Sequence, residues 1–342
     1  MTLTAEAAPR PNRAAKPSGT ARTTDQRAAD QQAVVTAVER AADGVVALTL
    51  AHPEGRRLPD WTPGAHVDLV LADGTMRQYS LCGDRWDAHA YRIGVLRDPA
   101  SRGGSATIHD TLRAGDTVGL GGPRNTFRLV PSPRYVFVAG GIGVTPLLPM
   151  IRQAELLGAD WHLFYLGRSR STMAFLDELV PHGQRVTVLA KDEAGPSDIR
   201  ATIGPARADT KVYACGPQRL LDGVLAAAEA DRWPEGWVRV ERFAAAEQGE
   251  PARAQAFDVV LARSGATVTV APGTTVLDAI QAAGAAVLSS CRVGTCGTCE
   301  VAVLDGAPDH RDSILSPAER RANTCMFPCV SRSCSDRLVL DV

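Results

Sequence analysis

Four cysteines near the end of the chain have the spacing of ligands to an iron–sulfur cluster. Cys291, Cys296 and Cys299 lie in the segment CRVGTCGTCE, and Cys329 lies in FPCVSR, which gives Cys-x4-Cys-x2-Cys-x29-Cys. This is the spacing of plant-type [2Fe–2S] ligands. The glycines of the first segment allow a tight loop from which three thiolates can converge. A cluster of this kind stores and passes single electrons, so the rest of the chain is expected to supply them.

A structural zinc site is the alternative for these residues. Cys296-x2-Cys299 and Cys325-x3-Cys329 could form two knuckles around one ion. The additional thiol of Cys291 and the Gly-rich loop favour the cluster. The CVSR context favours Cys329 over the other nearby cysteines as the fourth ligand.

A Gly-rich segment in the middle of the chain could bind phosphate groups. It follows the continuous apolar strand YVFVAG, precedes a segment with helical periodicity, and consists of Gly140, Gly141, Ile142, Gly143, Val144, Thr145 and Pro146. A turn in this position is typical of a dinucleotide site at the N-terminus of a helix. The segment lacks the GxGxxG pattern, and a loop whose glycines serve only packing is the alternative.

Two later strand ends carry residues suited to the rest of a dinucleotide. Arg168, Ser169 and Arg170 follow the next apolar strand, and two guanidinium groups with a hydroxyl could hold a 2′-phosphate. A solvated turn is the alternative. Cys215 and Gly216 end a further strand at the carboxyl edge of the predicted sheet, where ligands gather. A single buried cysteine is more often inert.

Two upstream segments could bind a second cofactor. The first follows a predicted strand and consists of Arg77, Gln78, Tyr79, Ser80, Leu81 and Cys82. Its guanidinium, ring and hydroxyl could bind a phosphate, cover a flat aromatic group and hydrogen-bond it, although an edge strand is the alternative. The second segment opens a predicted helix, SATIHDTL, where the free amides of Gly103, Gly104 and Ser105 could seat a phosphate. A tight turn capped by Ser105 is the alternative there.

The elements that carry these residues predict a multidomain protein. Residues 31–131 contain short β-like segments broken by Gly, Pro and Asp, which is typical of an antiparallel β-barrel. Strands and helices alternate over 132–245, including a predicted helix at SRSTMAFLDELV, and this predicts an α/β domain with a parallel sheet. Residues 246–255 form a polar linker. Residues 256–342 predict a compact α+β domain that carries the cysteines.

Two local expectations complete the organisation. In the last domain, Thr274 is the expected N-cap and Gly284 the expected C-cap of a helix. Residues 1–30 contain few large apolar side chains, so they predict a disordered tail.

Composition excludes several classes of function. The 342 residues predict two or three domains, and 37 basic against 38 acidic residues argue against nucleic acid as the main partner. No apolar run is long enough to span a membrane, and the N-terminus lacks the apolar core of a signal peptide. The cytoplasm is therefore the expected compartment, where cysteines stay reduced and bind metals.

Six motifs in this order resemble the phthalate dioxygenase reductase family over residues 32–342. They are RQYSLC, RGGS, PRNTF, GGIGVTP, YACGP and a cysteine motif that consists of the two cysteine segments together. The chain is also similar to the reductase modules fused to some bacterial haem-thiolate monooxygenases and to vanillate demethylase reductase subunits. The resemblance implies an FMN-binding antiparallel barrel, an NAD(P)-binding α/β domain and a plant-type ferredoxin domain of the β-grasp type.

The resemblance also implies roles for the residues already singled out. The flavin would lie against Arg77, Tyr79, Ser80 and Leu81, with its phosphate on Gly103, Gly104 and Ser105. The pyridine nucleotide would lie on Gly140, Gly141, Ile142, Gly143, Thr145, Pro146, Arg168, Ser169 and Arg170, with its nicotinamide near Cys215 and Gly216. Phe243, in VERF, would pack against the flavin, a core position being the alternative. Ser80 and Cys215 become the catalytic candidates.

The implied activity is the transfer of electrons from NADPH or NADH to FMN, and then one at a time through the cluster. Arg168 and Arg170 favour NADPH. The implied acceptor is a terminal oxygenase of the Rieske type or a haem-thiolate monooxygenase, and the chain is expected to be a monomer. The alternative is an electron-carrier module that binds the cluster without oxidising NAD(P)H itself.

Overall fold

The computed structural model describes residues 31–99, 103–245 and 249–342. The predicted tail of residues 1–30, Arg102 of the RGGS motif and residues 246–248 of the predicted linker lie outside the described residues. The described part contains three larger sheets that follow one another along the chain. The expectation of a multidomain protein is thereby confirmed.

The first sheet is an antiparallel barrel, as the sequence predicts. Its six strands are β1 (Gln31–Ala42), β2 (Val45–Ala51), β3 (His66–Val70), β4 (Met76–Ser80), β5 (Ala90–Leu96) and β6 (Thr117–Arg124). They pair in the order β4-β3-β6-β1-β2-β5, and an antiparallel bridge from Leu81 to Ile93 joins the two ends. Helix α1 (Gly104–Thr111) lies between β5 and β6. Alternate residues such as Leu48 and Leu50 fill the interior, as the period of a strand requires.

The second sheet is parallel, which confirms the predicted α/β unit. Its strands are β7 (Arg134–Gly140), β8 (Asp160–Gly167), β9 (Val186–Ala190), β10 (Thr210–Cys215) and β11 (Val238–Glu241), in the order β11-β10-β7-β8-β9. The helices are α2 (Leu147–Leu156), α3 (Leu176–Leu179), α4 (Lys191–Ala194), α5 (Ile199–Ile203) and α6 (Gln218–Ala230). The chain order reverses between β7 and β10, and open α/β sheets bind ligands at such a point.

One predicted helix in this unit is wrong. SRSTMAFLDELV forms only a short 3₁₀ turn at Arg170–Thr172 and the single turn α3. Phe175, between them, has a φ of 62°, in the left-handed region that a bulky residue rarely adopts. A Cβ atom on Gly94 of β5 would lie 3.2 Å from the Phe175 ring, so this ring packs closely against the barrel. A contact between distant segments therefore overrides the local helical pattern.

The third sheet is mixed, and the cysteine segment leads into one of its strands, β14. Its strands, in the order β13-β12-β18-β14-β16, are β12 (Phe257–Leu261), β13 (Thr267–Val270), β14 (Val301–Asp305), β16 (Cys325–Met326) and β18 (Arg337–Leu340). Strands β15 (Pro308–Asp309) and β17 (Arg332–Ser333) form a separate pair. The helices are α7 (Val276–Ala282) and α8 (Pro317–Ala322).

The expected N-cap of α7 is shifted by one residue. Thr275, and not Thr274, caps the helix, because its side chain accepts a hydrogen bond from the Asp278 amide at 3.0 Å. The expected C-cap is also shifted by one residue, because Ala283 is the C-cap and Gly284 follows it with a φ of 91°, a conformation for which glycine is best suited.

An ionic cluster joins the barrel to the parallel sheet. Glu178, on α3, pairs with Arg92 of β5 and with Arg152 of α2. Arg152 also donates to the carbonyl oxygens of Cys82 and Gly83, at 3.3 and 2.9 Å. Among the described residues, no helix has the length and apolar character that crossing a membrane requires.

Candidate functional site

A cavity of about 350 Å³ lies where the three sheets meet. We call it the central cavity. All three units contribute to its wall, which includes His66, Arg77, Tyr79, Ser80, Gly94, Ser105, Ile142, Thr145, Glu241, Phe243 and Thr295. The cavity thus gathers residues from the two upstream segments, the Gly-rich segment and the cysteine segment. This volume is in the range of small-molecule and cofactor sites.

The barrel side of the cavity combines a guanidinium group with the start of a helix. A Cβ atom on Gly104 would lie 2.8 Å from Nε of Arg77, so this side chain rests on the first turn of α1. The Ser105 hydroxyl, in the same turn, accepts a hydrogen bond from the Asp98 amide at 3.2 Å. Amides at a helix N-terminus and a nearby guanidinium both attract anions. This corner can therefore hold a phosphate group.

The remaining residues of the RQYSLC segment separate into wall and core positions. Tyr79 and Ser80 line the cavity, and burial raises the pKa of the Tyr79 phenol to about 12, so that it stays protonated. Leu81 is fully buried in the interior of the barrel. Cys82 lies in the core that the barrel shares with the parallel sheet.

The Gly-rich segment packs tightly against the end of β10. It forms a 3₁₀ turn at Gly141–Val144 before α2. A Cβ atom on Gly143 would lie only 2.2 Å from the carbonyl oxygen of Cys215, so a larger residue cannot occupy this position without moving the backbone. Ile142 and Thr145 line the central cavity. The structure therefore brings together the two motifs that the sequence placed at separate strand ends.

A thiol and a carboxyl group face each other beside this turn. Cys215 and Glu241 are register partners at the ends of β10 and β11, with Sγ and Oε2 3.9 Å apart. Burial raises the pKa of Glu241 to about 8, and burial with the Glu241 charge raises the pKa of the Cys215 thiol well above its usual value. The site can therefore offer a neutral thiol and a carboxyl group that holds its proton near neutral pH.

The sequence reasoning did not single out Glu241. The usable signal was its position, at the carboxyl end of a short strand, VRVE, one residue before the Arg242-Phe243 pair. Strand ends at that edge of a parallel sheet collect ligand-binding side chains. Phe243 itself lies on the rim of the cavity and is 48% exposed, so it is not a core residue in this structure.

The arginines after β8 lie at a neighbouring strand end and do not line the central cavity. Arg168 is exposed, and Ser169 forms a capping box with Thr172. Arg170 is paired with Glu193, with Nε 2.9 Å from Oε1, and both side chains are about half exposed. A carboxylate thus competes with any anion for Arg170.

The cysteine segment forms a loop, residues 290–299, that we call the cluster loop. Contacts between thiols link Cys296 to Cys291, Cys291 to Cys329 and Cys329 to Cys299. The amides of Val293 and Thr295 point at the Cys291 sulfur, each at 3.4 Å. No three His, Cys, Asp or Glu side chains in the described ranges are arranged as ligands of one ion.

This arrangement fits a cluster with two irons. A chain of thiol pairs, with backbone amides directed at a sulfur, is the donor set that such a cluster uses. Gly294 and Gly297 have φ values of 74° and 75°, which confirms that the loop uses conformations suited to glycine. Cys325 takes part in none of these thiol contacts and pairs with β14.

The structure adds His66, which the sequence reasoning also missed. The side chain is nearly fully buried and lines the central cavity, and its ring faces the backbone of Cys296. Burial, followed by the charge of Arg124, lowers the pKa of His66 to about 4. Its importance comes from a contact between the barrel and the cluster loop, and no local sequence pattern reports such a contact.

Comparison with known proteins agrees with this organisation. Residues 259–334 match the 2Fe-2S iron-sulfur cluster binding domain. The phenoxybenzoate dioxygenase subunit beta of Ectopseudomonas oleovorans is 46% identical over 310 residues, which cover 90% of this chain and 96% of that protein.

Two solved structures extend the comparison to the fold. An intact type IV self-sufficient cytochrome P450 monooxygenase matches 91% of this chain with a TM-score of 0.85 and 44% identity, although the match spans only 41% of that longer chain. Phthalate dioxygenase reductase, described as a modular structure for electron transfer from pyridine nucleotides to [2Fe–2S], matches 94% of this chain and 100% of its own length. The TM-score is 0.66 and the identity 35%.

Proposed function

The chain belongs to the phthalate dioxygenase reductase family, and we propose that it passes electrons from NAD(P)H through FMN and a [2Fe–2S] cluster, one at a time, to an oxygenase. It is an oxidoreductase of the kind that serves oxygenase systems. The observation that carries the detailed proposal is the central cavity, because it is lined by the barrel, the parallel sheet and the cluster loop together. A cofactor in this cavity would lie next to the parallel sheet, where the pyridine nucleotide is proposed to bind, and next to the cluster loop, which is proposed to accept its electrons.

The barrel wall of this cavity is proposed to hold FMN. When bound, FMN supplies the conversion of a two-electron donor to one-electron transfers. Arg77 and the amides of Gly103, Gly104 and Ser105 would bind its phosphate. Tyr79, Ser80 and Phe243 would contact its ring system, since they lie on the wall or the rim. Leu81 would act from behind this wall, because it faces the barrel interior.

The edge of the parallel sheet is proposed to hold the pyridine nucleotide. Gly141 has open space where a side chain would stand, so a phosphate could approach the backbone there, while Gly140 and Gly143 let the turn pack against the end of β10. Thr145 and Pro146 directly precede helix α2. Cys215, Gly216 and Glu241 would orient the nicotinamide. The Cys215 thiol, kept neutral by burial, is suited to packing against an uncharged ring face.

Cys291, Cys296, Cys299 and Cys329 are proposed as the four cluster ligands. We expect Cys329→Ser to abolish NAD(P)H-dependent reduction of cytochrome c, because the cluster is the outlet for single electrons. Reduction of ferricyanide, which can take electrons from the flavin directly, should persist. The measurement is the two rates, with iron and acid-labile sulfide counted in the purified protein.

Cys325→Ser is the matched control, because this cysteine lies four residues away and outside the chain of thiol pairs. It should retain both rates and the full iron content. A Cys325 variant that loses iron while the Cys329 variant keeps it would reverse the ligand assignment. A wild-type protein with cluster but no oxidation of NADPH or NADH would support the electron-carrier alternative. Zinc without acid-labile sulfide would support a structural zinc site.

Nucleotide preference is proposed to depend on the turn after β8. Arg168 and Arg170, with Ser169 between them, are suited to a 2′-phosphate, so we propose that NADPH is accepted. The double variant Arg168→Ala/Arg170→Ala should raise the KM for NADPH about tenfold or more, with little change for NADH, since two charge-assisted hydrogen bonds are lost. Steady-state kinetics with both nucleotides measures this, and equal effects on the two would contradict the assignment.

Glu193 gives a second check on the same turn. Its carboxylate occupies Arg170, so Glu193→Gln should release the guanidinium and lower the KM for NADPH. NADH kinetics should stay close to those of the wild type.

The remaining proposals concern the setting of the protein. We propose that the electron acceptor is a terminal oxygenase, of the Rieske type or with a haem-thiolate centre. We also propose that the protein is a monomer. The cytoplasm is the proposed compartment, since reduced thiols are required for cluster assembly. The proposed units are the FMN-binding barrel at 31–131, the nucleotide domain at 132–245, the linker at 246–255 and the ferredoxin domain at 256–342. Purified protein mixed with either class of oxygenase, and scored for product, distinguishes the two acceptors.

A further inference from the structure

A fully buried carboxylate stands between the barrel and the cluster loop. Asp68, on β3, is 0% exposed and pairs with Arg124 of β6. Its Oδ1 atom accepts hydrogen bonds from Nε2 of Gln78 at 3.0 Å and from the hydroxyl of Ser290 at 2.8 Å. Gln78 also reaches Ser290, at 3.3 Å. Ser290 belongs to the cluster loop and directly precedes Cys291.

The hydrogen bonds that Asp68 accepts come from donors in two different units of the protein. Arg124 and Gln78 belong to the barrel, as Asp68 does, so their bonds would survive if the cluster loop moved away. The Ser290 hydroxyl comes from the other unit, more than two hundred residues later in the chain. Hydrogen bonds to a desolvated carboxylate are short and directional, so this bond fixes the position of the loop more narrowly than an apolar contact would.

Two further contacts hold the loop at its middle, and a third residue there borders the cavity. The His66 ring faces the backbone of Cys296, and a Cβ atom on Gly297 would lie 2.8 Å from Cγ2 of Thr126. Thr295 forms part of the wall of the central cavity. The barrel therefore meets the loop at its first residue and again around residues 295–297. One loop thus carries cysteine ligands and completes the wall of the cavity.

We propose that Asp68 and Ser290 form a latch that positions the cluster loop against the central cavity and so sets the flavin-to-cluster approach. This inference rests on the proposed function, because it takes FMN as the occupant of the cavity and the cluster as the occupant of the loop. Asp68 and Ser290 act as positioning residues and touch neither reacting group. The latch is polar and has one donor from the ferredoxin unit, so it can be opened by one substitution.

The test uses holoenzyme variants that break the latch and then restore it. Ser290→Asp places a second carboxylate beside Asp68, and two like charges at this distance repel each other in a site shielded from water. Adding Asp68→Asn removes one of the two charges and leaves a carboxylate for Arg124. The milder Ser290→Ala removes only the hydroxyl. Ser289→Ala is the matched control, because its buried hydroxyl has no partner among the described residues.

Two measurements separate positioning from other roles. Hydrogen–deuterium exchange of residues 290–297 reports whether the loop leaves the barrel, and Ser290→Ala should accelerate it about 2- to 12-fold, the range that one net hydrogen bond supplies in an equilibrium. Ser290→Asp should accelerate it further and slow reduction of the cluster in stopped-flow experiments, while reduction of the flavin by NAD(P)H keeps its rate. The double variant should recover both readouts, and Ser289→Ala should match the wild type.

The outcomes decide the latch independently of the proposed function. Unchanged exchange in Ser290→Ala and Ser290→Asp would overturn it. The latch would also be overturned if Asp68→Asn failed to restore exchange and cluster reduction in the Ser290→Asp variant. A direct effect of residue 290 on the cluster would not depend on the residue at position 68. If the wild type oxidises no NAD(P)H, the proposed function fails, yet the exchange data still report whether Asp68 and Ser290 hold the loop.

Discussion

Cys215 and Glu241 end two neighbouring parallel strands, and their side chains share one small space beside the Gly-rich turn. The pKa of the Glu241 carboxyl lies at about 8 instead of the usual 4.5, because burial disfavours its charged form. The unfolded chain would keep the ordinary pKa. Between these two values the folded protein therefore binds more protons than the unfolded chain, and its stability falls as the pH rises.

The variant Glu241→Gln should remove this pH dependence. The glutamine amide keeps the size of the carboxyl group and carries no charge at any pH. Between about pH 5 and pH 8.5 the wild type should therefore lose stability relative to the variant, by on the order of 4 kcal/mol, since the pKa shift spans most of this range and each unit is worth about 1.4 kcal/mol. Thermal unfolding midpoints of both proteins across this range provide the measurement. Parallel profiles for the two proteins would show that Glu241 keeps an ordinary pKa.

Among the elements, the turn between β7 and α2 has little freedom to change. Gly143→Ala would place a Cβ atom 2.2 Å from the Cys215 carbonyl oxygen, a backbone atom that cannot move alone. Gly141→Ala meets no atom within 4 Å and suffers only from a φ of 53°. We expect Gly141→Ala to cost about 1 kcal/mol and Gly143→Ala at least about twice that.

Thermal unfolding and the KM for the nucleotide measure the comparison between these two glycines. The Gly143 variant should also raise the KM, since the turn and the end of β10 would separate. Equal losses of stability in both variants would mean that conformational strain, and not the contact between the two strand ends, limits this turn.

Much of the element order could be predicted from the sequence, because strands such as YVFVAG are continuous apolar runs that only a sheet buried on both faces explains. The cluster loop could be predicted equally well, since its chemistry depends on the spacing of cysteines within one segment. Contacts between distant segments could not be predicted from the sequence. Phe175 leaves the helical pattern to pack on Gly94, and His66 gains its position from Cys296, more than two hundred residues away. No local periodicity encodes either contact.

At the scale of the whole molecule, Glu178 is the counterpart of the latch at the contact between the barrel and the parallel sheet. Its pairs with Arg92 and Arg152 hold the parallel sheet against β5, next to the place where Gly94 meets Thr145. Glu178→Gln should therefore slow reduction of the flavin by NAD(P)H about two- to tenfold, since it weakens two half-buried ion pairs that align the units. Iron and flavin contents should not change.

Stopped-flow measurement of flavin reduction tests this expectation. Glu155→Gln is the control, because the ion pair that this carboxylate makes is with His182, within the same unit. Higher ionic strength should slow the wild type and leave the Glu178 variant less affected. A Glu178 variant with normal flavin reduction would show that apolar packing alone aligns the two units.

The shared wall of the central cavity has a thermodynamic consequence for the assembled protein. A ligand that contacts all three units binds fully only when they are together, so by mass action its binding free energy also favours their association. Saturation at about one hundred times the dissociation constant would add about 2.7 kcal/mol to the assembled state. The cofactor would then stabilise the assembly of the three units in addition to carrying electrons. The free energy that holds the units together would depend on the concentration of free flavin.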